Sequence, residues 1–339
     1  MRPLEEIYTL LDTPRKVVIT MHQKPDGDAM GSALGLYHYL KTYGHDVVVI
    51  SPTNWADFLQ WMPGTSEVID YEREKSRADL LLQHAEWIFC LDFNVLSRTK
   101  RMEESLAAAP GDRILIDHHQ QPEIARFTWG RSDVHKSSTA EMVYDFITES
   151  GGANRMSLEC IQSIYTGVMT DTGSFRFPAT TASVHRLVAD LKDRGLQHSV
   201  VHENIYDNFT ENRFRFIGHV LSHLLDVYYE YNTAIITVPQ QILQKFDIKT
   251  GDTEGLVNYP LGIQGIRLAV IIVDRGEERK LSFRSKGGFD VNIFARKYFN
   301  GGGHASASGG SSYEPLEKVK QQFLTAMREN AAELSSYSF

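Results

Sequence analysis

Apolar positions in the first half of the chain fall into two alternating patterns. Lys16–Met21 (KVVITM), Val47–Ser51, Glu86–Leu91 and Arg113–Ile116 are short apolar runs of strand length. After the first of them, Asp28–Tyr43 places Met30, Ala33, Leu34, Leu36, Tyr37 and Leu40 at helical spacing, which predicts a helix fed directly by a strand. Gly44, the charged stretch Tyr71–Asp79 and the Pro110-Gly111 breaker separate the runs. This alternation predicts an α/β fold, a doubly wound and mainly parallel sheet. Further helices are predicted over Ser138–Ser150, closed by Gly151-Gly152, over Leu158–Met169, and over Ser183–Arg194, closed by Gly195.

From about Ser199 to Leu225 the spacing stays helical with few breakers, so this stretch reads as a helical connector. Beyond Asp226 the texture changes to the strand-like runs Tyr228–Val238, Ile266–Val273 and Lys280–Ser285. Helices are predicted at Gln240–Phe246, at Val291–Tyr298 and near Glu314–Ser335. The pattern divides the chain into residues 1–195, a connector 196–226 and a smaller α/β domain 227–339. A length of 339 residues gives each domain enough chain for its own core.

Composition changes this picture little, but charge narrows it. A formal charge of −8 leaves no global basic field to hold a long polyanion, so a nucleic-acid partner should be short. Cys90 and Cys160 lie in apolar surroundings and are expected as buried free thiols. The N-terminal residues lack a signal-peptide pattern, and no apolar stretch reaches the roughly 18 residues of a membrane span, so a cytoplasmic protein without membrane contact is expected. Oligomeric state leaves no mark on the sequence, and a homodimer stays open.

Chemistry concentrates where the predicted strands end. The turn His22-Gln23-Lys24-Pro25-Asp26-Gly27-Asp28 gathers an imidazole and two carboxylates, and Pro25 and Gly27 bend it out of regular helix. As an ordinary helix start, the same turn would put Asp28 at the N-cap. The other ends carry Asp92, Asp117-His118-His119 and, after a helix, Asp171. In open α/β sheets the crevice beyond the carboxyl ends of the strands is the ligand site. So many carboxylates in one crevice call for cations. Mostly oxygen donors with a few imidazoles suit two divalent ions, Mn²⁺ first, with Mg²⁺ or Co²⁺ as alternatives. A pair of ions can promote attack of water at phosphorus.

In order and spacing, His22-x-x-Pro25-Asp26-x-Asp28-Ala29-x-Gly31-Ser32, Asp92, Asp117-His118-His119 and Asp171 resemble the motifs of the DHH phosphoesterase superfamily. Phe283-Arg284-Ser285 and Gly301-Gly302-Gly303-His304-x-x-Ala307-Ser308-Gly309 look like the DHH-associated domain of its NrnA-type branch. The resemblance implies that 1–195 is a DHH catalytic domain and 227–339 a substrate-binding domain, with the active site in the cleft between them. It puts His22, Asp26 and Asp92 on one metal, and Asp28, Asp92, His118 and Asp171 on the other. Asp117 would orient a ligand, and His119 would face the scissile phosphate as donor or acid.

For the second domain, the resemblance implies a phosphate-recognition patch made of Arg284, Ser285, the backbone of Gly302 and Gly303, and His304. Arg98, and Arg176 with less support, are candidates for further phosphate contacts. The activity implied is Mn²⁺-dependent cleavage of very short oligoribonucleotides, about two to five nucleotides long, to mononucleotides, with removal of a phosphate from 3′-phosphoadenosine 5′-phosphate. Hydrolysis of cyclic dinucleotides or of their linear products is the alternative. Inorganic pyrophosphate and long single strands fit the second domain and the charge less well, and a non-catalytic sensor would be expected to lack a ligand that is present here.

Overall fold

The computed structural model describes residues 1–335 and separates into two units, Met1–Asn208 and the chain from Phe209 onward. The last four residues of the predicted domain 227–339 lie outside the described residues. The helical stretch expected as a connector is divided between the units, with His198–Tyr206 in the first and Glu211–His223 in the second.

The first unit is built on seven strands: β1 (Arg2–Pro3), β2 (Lys16–Thr20), β3 (Asp46–Ser51), β4 (Ile69–Asp70), β5 (Trp87–Leu91), β6 (Asp112–Asp117) and β7 (Trp129–Ser132). All pair in parallel, in the order β1-β7-β6-β5-β2-β3-β4. Winding runs outward from β2 through β3 to β4 on one side, and from β5 through β6 to β7 on the other. The direction therefore reverses between β2 and β5, which pair from Val17 opposite Trp87 to Thr20 opposite Cys90. A crevice opens beyond strand ends at such a reversal. The segments that leave these two ends begin with Met21-His22 and Asp92.

Seven helices accompany the sheet: α1 (Gly27–Lys41), α2 (Lys75–His84), α3 (Glu103–Ala108), α4 (Thr139–Glu149), α5 (Leu158–Asp171), α6 (Ala182–Asp193) and α7 (His198–Tyr206). Side-chain alternation along the strands makes two cores. Val17, Ile19, Phe89, Leu91, Ile114 and Ile116 pack with residues of α1, α4 and α5. Val18, Ile88, Cys90 and Leu115 pack on the opposite face with Ala78, Leu82 and Leu106 of α2 and α3. Cys90 and Cys160 are both buried and free.

The contact of α1 with α5 depends on glycine. A Cβ on Gly31 would lie 2.6 Å from both Gly167 N and Ser163 O, backbone atoms that cannot rotate aside. Gly31→Ala should therefore destabilise the protein by about 1–3 kcal/mol through overpacking, against a helix-propensity gain of up to about 1 kcal/mol. A denaturation midpoint equal to or above that of wild type would contradict this.

The second unit holds β8 (Leu225–Tyr228), β9 (Thr233–Val238), β10 (Leu268–Asp274), β11 (Arg279–Ser285), β12 (Gly302–Gly303) and β13 (Ala307–Ser312), in the order β12-β13-β11-β10-β9-β8. Only β9 and β10 run parallel. Its helices are α8 (Glu211–His223), α9 (Gln240–Lys245), α10 (Val291–Tyr298), α11 (Leu316–Glu329) and α12 (Ala331–Ser335). Phe294, Phe299 and Phe323 close one face over Phe283, and Phe216, Val220 and Leu243 close the other over Ile236 and Ile271.

Several details depart from the sequence pattern. The run Tyr228–Val238 is not one strand: it begins on the last residue of β8, turns through Tyr229–Tyr231 and Asn232, held at φ +47°, a left-handed conformation that Asn tolerates, and returns as β9 antiparallel to β8. The charged stretch Tyr71–Asp79 runs into α2, whose charges are its solvated face. The predicted last helix ends at Glu329 and resumes at Ala331.

Candidate metal centre

The loop from β2 into α1 is shaped by its carboxylates. Asp26 is the N-cap of α1: its Oδ1 accepts from Asp28 N at 3.0 Å and Ala29 N at 3.1 Å. The cap is thus Asp26 and not Asp28, which instead lies buried inside the first turn. Asp28 is met from the opposite side by the first turn of α4, whose Thr139 N donates to Oδ2 at 2.7 Å and Ala140 N to Oδ1 at 2.8 Å. Asp92 follows β5 at φ +62°. A non-glycine residue held there costs of order 1–3 kcal/mol, and such strain clusters at functional sites. Asp117 is the last residue of β6, with His118 and His119 following it, and Asp171 is the last residue of α5.

Asp92 stands between two groups of donors. Its Oδ2 is 3.3 Å from His22 Nε2, which is 3.9 Å from Asp26 Oδ1. Its Oδ1 is 3.5 Å from His118 Nε2, which is 3.7 Å from Asp28 Oδ2 and 3.6 Å from Asp171 Oδ2. His22 Nδ1 donates to Gln23 O at 2.8 Å and His118 Nδ1 to Lys136 O at 3.2 Å. A carbonyl can only accept, so each Nδ1 carries the hydrogen and each Nε2 is the ring's donor toward the centre. Ligands about 2.1 Å from one ion sit about 3.0–3.4 Å apart along the edges of its coordination shell. The separations around Asp92 are near this range or slightly wider, and the oxygen-rich donor set suits a hard divalent ion, so the residues fit two such ions.

Electrostatics point the same way. Burial raises the Asp28 proton affinity well above the usual carboxylate range, and the charges of Asp92 and Asp171 add to it. Burial also works to raise Asp92, but the imidazoles of His118 and His22 hold it well below that range. Burial lowers His118, yet Asp92, Asp171 and Asp28 together lift it well above an ordinary imidazole. His22 is raised by Asp92 and Asp26 against burial and the charge of Arg98. The buried carboxylates thus favour positive charge at the centre, and a cation would compete with protons for the same groups.

Asp117 serves His119. It accepts from His119 Nδ1 at 2.7 Å and from His119 N at 3.1 Å, whereas the His118 ring is held by Lys136 O. Burial pulls the His119 proton affinity down; Asp117 opposes this and the charge of Arg98 adds to it. Arg98 lies in the turn after β5, with Nη1 donating to Asp92 O at 3.2 Å. Arg176 Nε donates to Gly173 O at 2.7 Å.

In the second unit, Arg284 lies on β11 and donates through Nη1 to Phe283 O at 2.9 Å. Ser285 is buried, and its hydroxyl donates to Phe289 O at 2.6 Å. Gly302 and Gly303 form β12, opposite Gly309 and Ser308. A Cβ on Gly301 would meet Gly309 O at 2.0 Å, so strand packing demands glycine there. Gly303 N donates to Asn292 Oδ1 at 3.0 Å and His304 N to Ala307 O at 2.8 Å. The Gly303 amide, expected to meet a phosphate, is therefore donated within the fold.

Sequence reasoning passed over Lys136, Thr139, Ala140 and Glu141. Ser138-x-x-Glu141 is a helix-start pattern, with Ser138 Oγ accepting from Glu141 N at 3.0 Å. It could have located the start of α4, but nothing local reveals that this turn meets Asp28 of α1.

Residues 16–168 match the DHH family, N-terminal domain, and residues 232–333 match the DHHA1 domain. The chain is 31% identical over 335 residues to the bifunctional oligoribonuclease and PAP phosphatase NrnA of Thermus thermophilus, covering 97% of this chain and 94% of that protein. The protein of the same name from Bacillus subtilis is 27% identical over 95% of this chain and 97% of its own length. The crystal structure of an exopolyphosphatase-related protein from Bacteroides fragilis is similar with a TM-score of 0.92 and 38% identity over 97% of each chain.

Proposed function

The chain belongs to the DHH family of phosphoesterases, and from that premise we propose that it hydrolyses very short oligoribonucleotides to mononucleotides and removes a phosphate from 3′-phosphoadenosine 5′-phosphate, with Mn²⁺ as its metal. The observation that carries the reading is Asp92, whose two oxygens each face a separate group of donors. His22, Asp26 and Asp92 would hold one ion, and Asp28, Asp92, His118 and Asp171 the other. When bound, the ions supply Lewis acidity and counter-charge for an in-line displacement by water at phosphorus.

The chain's own residues do the rest. Asp117 holds the His119 ring through Nδ1 and its backbone through the amide, which leaves Nε2 to meet a phosphate oxygen. Arg98 adds positive charge close to His22 and His119, which favours an anionic substrate there. Arg284, with its planar fork, and His304 bind the phosphorylated end of a short nucleotide. The −8 net charge supports a short substrate over a long polyanion.

The test is a set of parallel time courses in Mn²⁺, Mg²⁺ and Co²⁺ with end-labelled dinucleotides to heptanucleotides, 3′-phosphoadenosine 5′-phosphate and a cyclic dinucleotide. The shortest RNAs should disappear fastest and the adenosine bisphosphate should yield AMP. Preference for the cyclic dinucleotide or for the longest RNA would overturn the reading. Arg284→Ala should lower kcat/KM on the nucleotides by about 10–100-fold, the value of a charge-assisted hydrogen bond, and spare a generic aryl phosphodiester. Equal loss on both substrate classes would remove Arg284 from recognition.

A further inference from the structure

Thr139 is fully buried and touches both carboxylates around which the two donor groups are arranged. Its hydroxyl donates to Asp92 Oδ1 at 3.0 Å, and its backbone N–H donates to Asp28 Oδ2 at 2.7 Å. These partners lie 47 and 111 residues away in sequence, so one residue ties together the two segments that flank the sheet's reversal point. Its own placement is rigid. Ser138 caps α4, and Glu141 accepts from Ser137 N and Oγ at 2.8 Å each.

We propose that Thr139 is a positioning residue that sets the rotation of the Asp92 carboxylate, so that one oxygen faces each ion. This rests on the two-ion reading above. The terminal torsion of an aspartate is broad and only two-fold, so its own covalent geometry does not fix which way the carboxylate turns. The Thr139 hydroxyl holds Oδ1 at 3.0 Å from a side chain that is itself fixed at the start of α4, and so supplies the restraint on rotation that the torsion lacks. Groups that orient metal ligands in this way typically contribute about 10–100-fold to metal affinity.

The experiment compares wild type, Thr139→Val and Thr139→Ser by calorimetric titration with Mn²⁺, by electron paramagnetic resonance of the loaded protein and by circular dichroism. Wild type should take two ions with an exchange-coupled signal. Thr139→Val, of nearly the same shape, should keep the fold but bind at least one ion about 10–100-fold more weakly and lose coupling as Mn²⁺ becomes limiting. Thr139→Ser should restore both. Val with wild-type affinities and coupling, or Ser failing as Val does, would overturn the inference alone. Uncoupled ions in wild type would overturn the two-ion reading and the inference with it. Should Thr139→Val fail to fold, Thr139→Ala carries the same expectation, and the Ser variant keeps its power to refute.

Discussion

Asp92→Ala should abolish hydrolysis of every substrate, with kcat/KM falling by at least about 10³-fold, the scale seen when a principal electrostatic group is removed from an active site. The reason lies in the geometry around one side chain. Asp92 Oδ2 belongs with His22 and Asp26, and Oδ1 with His118, Asp28 and Asp171. Removing any other ligand leaves one donor group whole, whereas removing Asp92 breaks both. Alanine also has to adopt φ +62°, where a non-glycine residue is strained. Asp92→Asn separates the two effects, because asparagine tolerates that conformation and keeps the shape but not the charge. Both variants should lose activity and both should take up less Mn²⁺ than wild type. Substantial Mn²⁺-dependent hydrolysis by either would sink the shared-ligand assignment.

Much of this arrangement could be read from sequence because parallel sheets write themselves plainly. Strands buried on both faces are continuous apolar runs, and β2, β3, β5 and β6 lie within a residue or two of the runs KVVITM, VVVIS, EWIFCL and RILI. The candidate ligands follow those ends, so locating the strands also located the chemistry. The short strands β1, β4 and β7 were invisible, since two to four residues carry no period. The turn at Asn232 was hidden for another reason: no glycine or proline marks it, and tyrosines flank it as they would a strand.

The supporting groups were harder to see than the ligands. A ligand's residue type announces its chemistry, but the bond from Thr139 to Asp92 spans 47 residues and joins side chains that are ordinary in isolation. The Gly301-Gly302-Gly303 run shows the opposite error. Its glycines suggested an open backbone cradle, yet Gly301 and Gly303 are required because a Cβ on either would run into the backbone of β13, and the Gly303 amide is donated to Asn292. Glycine reports close approach, and sequence does not say whether a ligand or the protein's own backbone approaches.

The strongest contrast to Asp92 is its neighbour in space, His119. His119→Ala should lower kcat by about 10²–10⁴-fold, the usual contribution of a positioned acid–base side chain, while Mn²⁺ still binds as in wild type. His119 Nδ1 lies 3.6 Å from Asp92 Oδ1, close enough for the ring to be mistaken for a ligand. Its hydrogen bond to Asp117 at 2.7 Å puts the hydrogen on Nδ1, because a carboxylate accepts, so Nδ1 cannot ligate and Nε2 is the atom left to meet a phosphate or an ion. Burial favours the neutral ring, Asp117 opposes it, and an anionic phosphate beside Nε2 would favour the protonated form. His119→Gln, which can still place an N–H near that position but cannot give up a proton, should retain substrate binding better than turnover. The discriminating measurement is metal stoichiometry beside kcat: a slow enzyme with full Mn²⁺ places His119 at the phosphate. A His119→Ala variant that has lost an ion would make the ring a ligand and leave the proton transfer to another group.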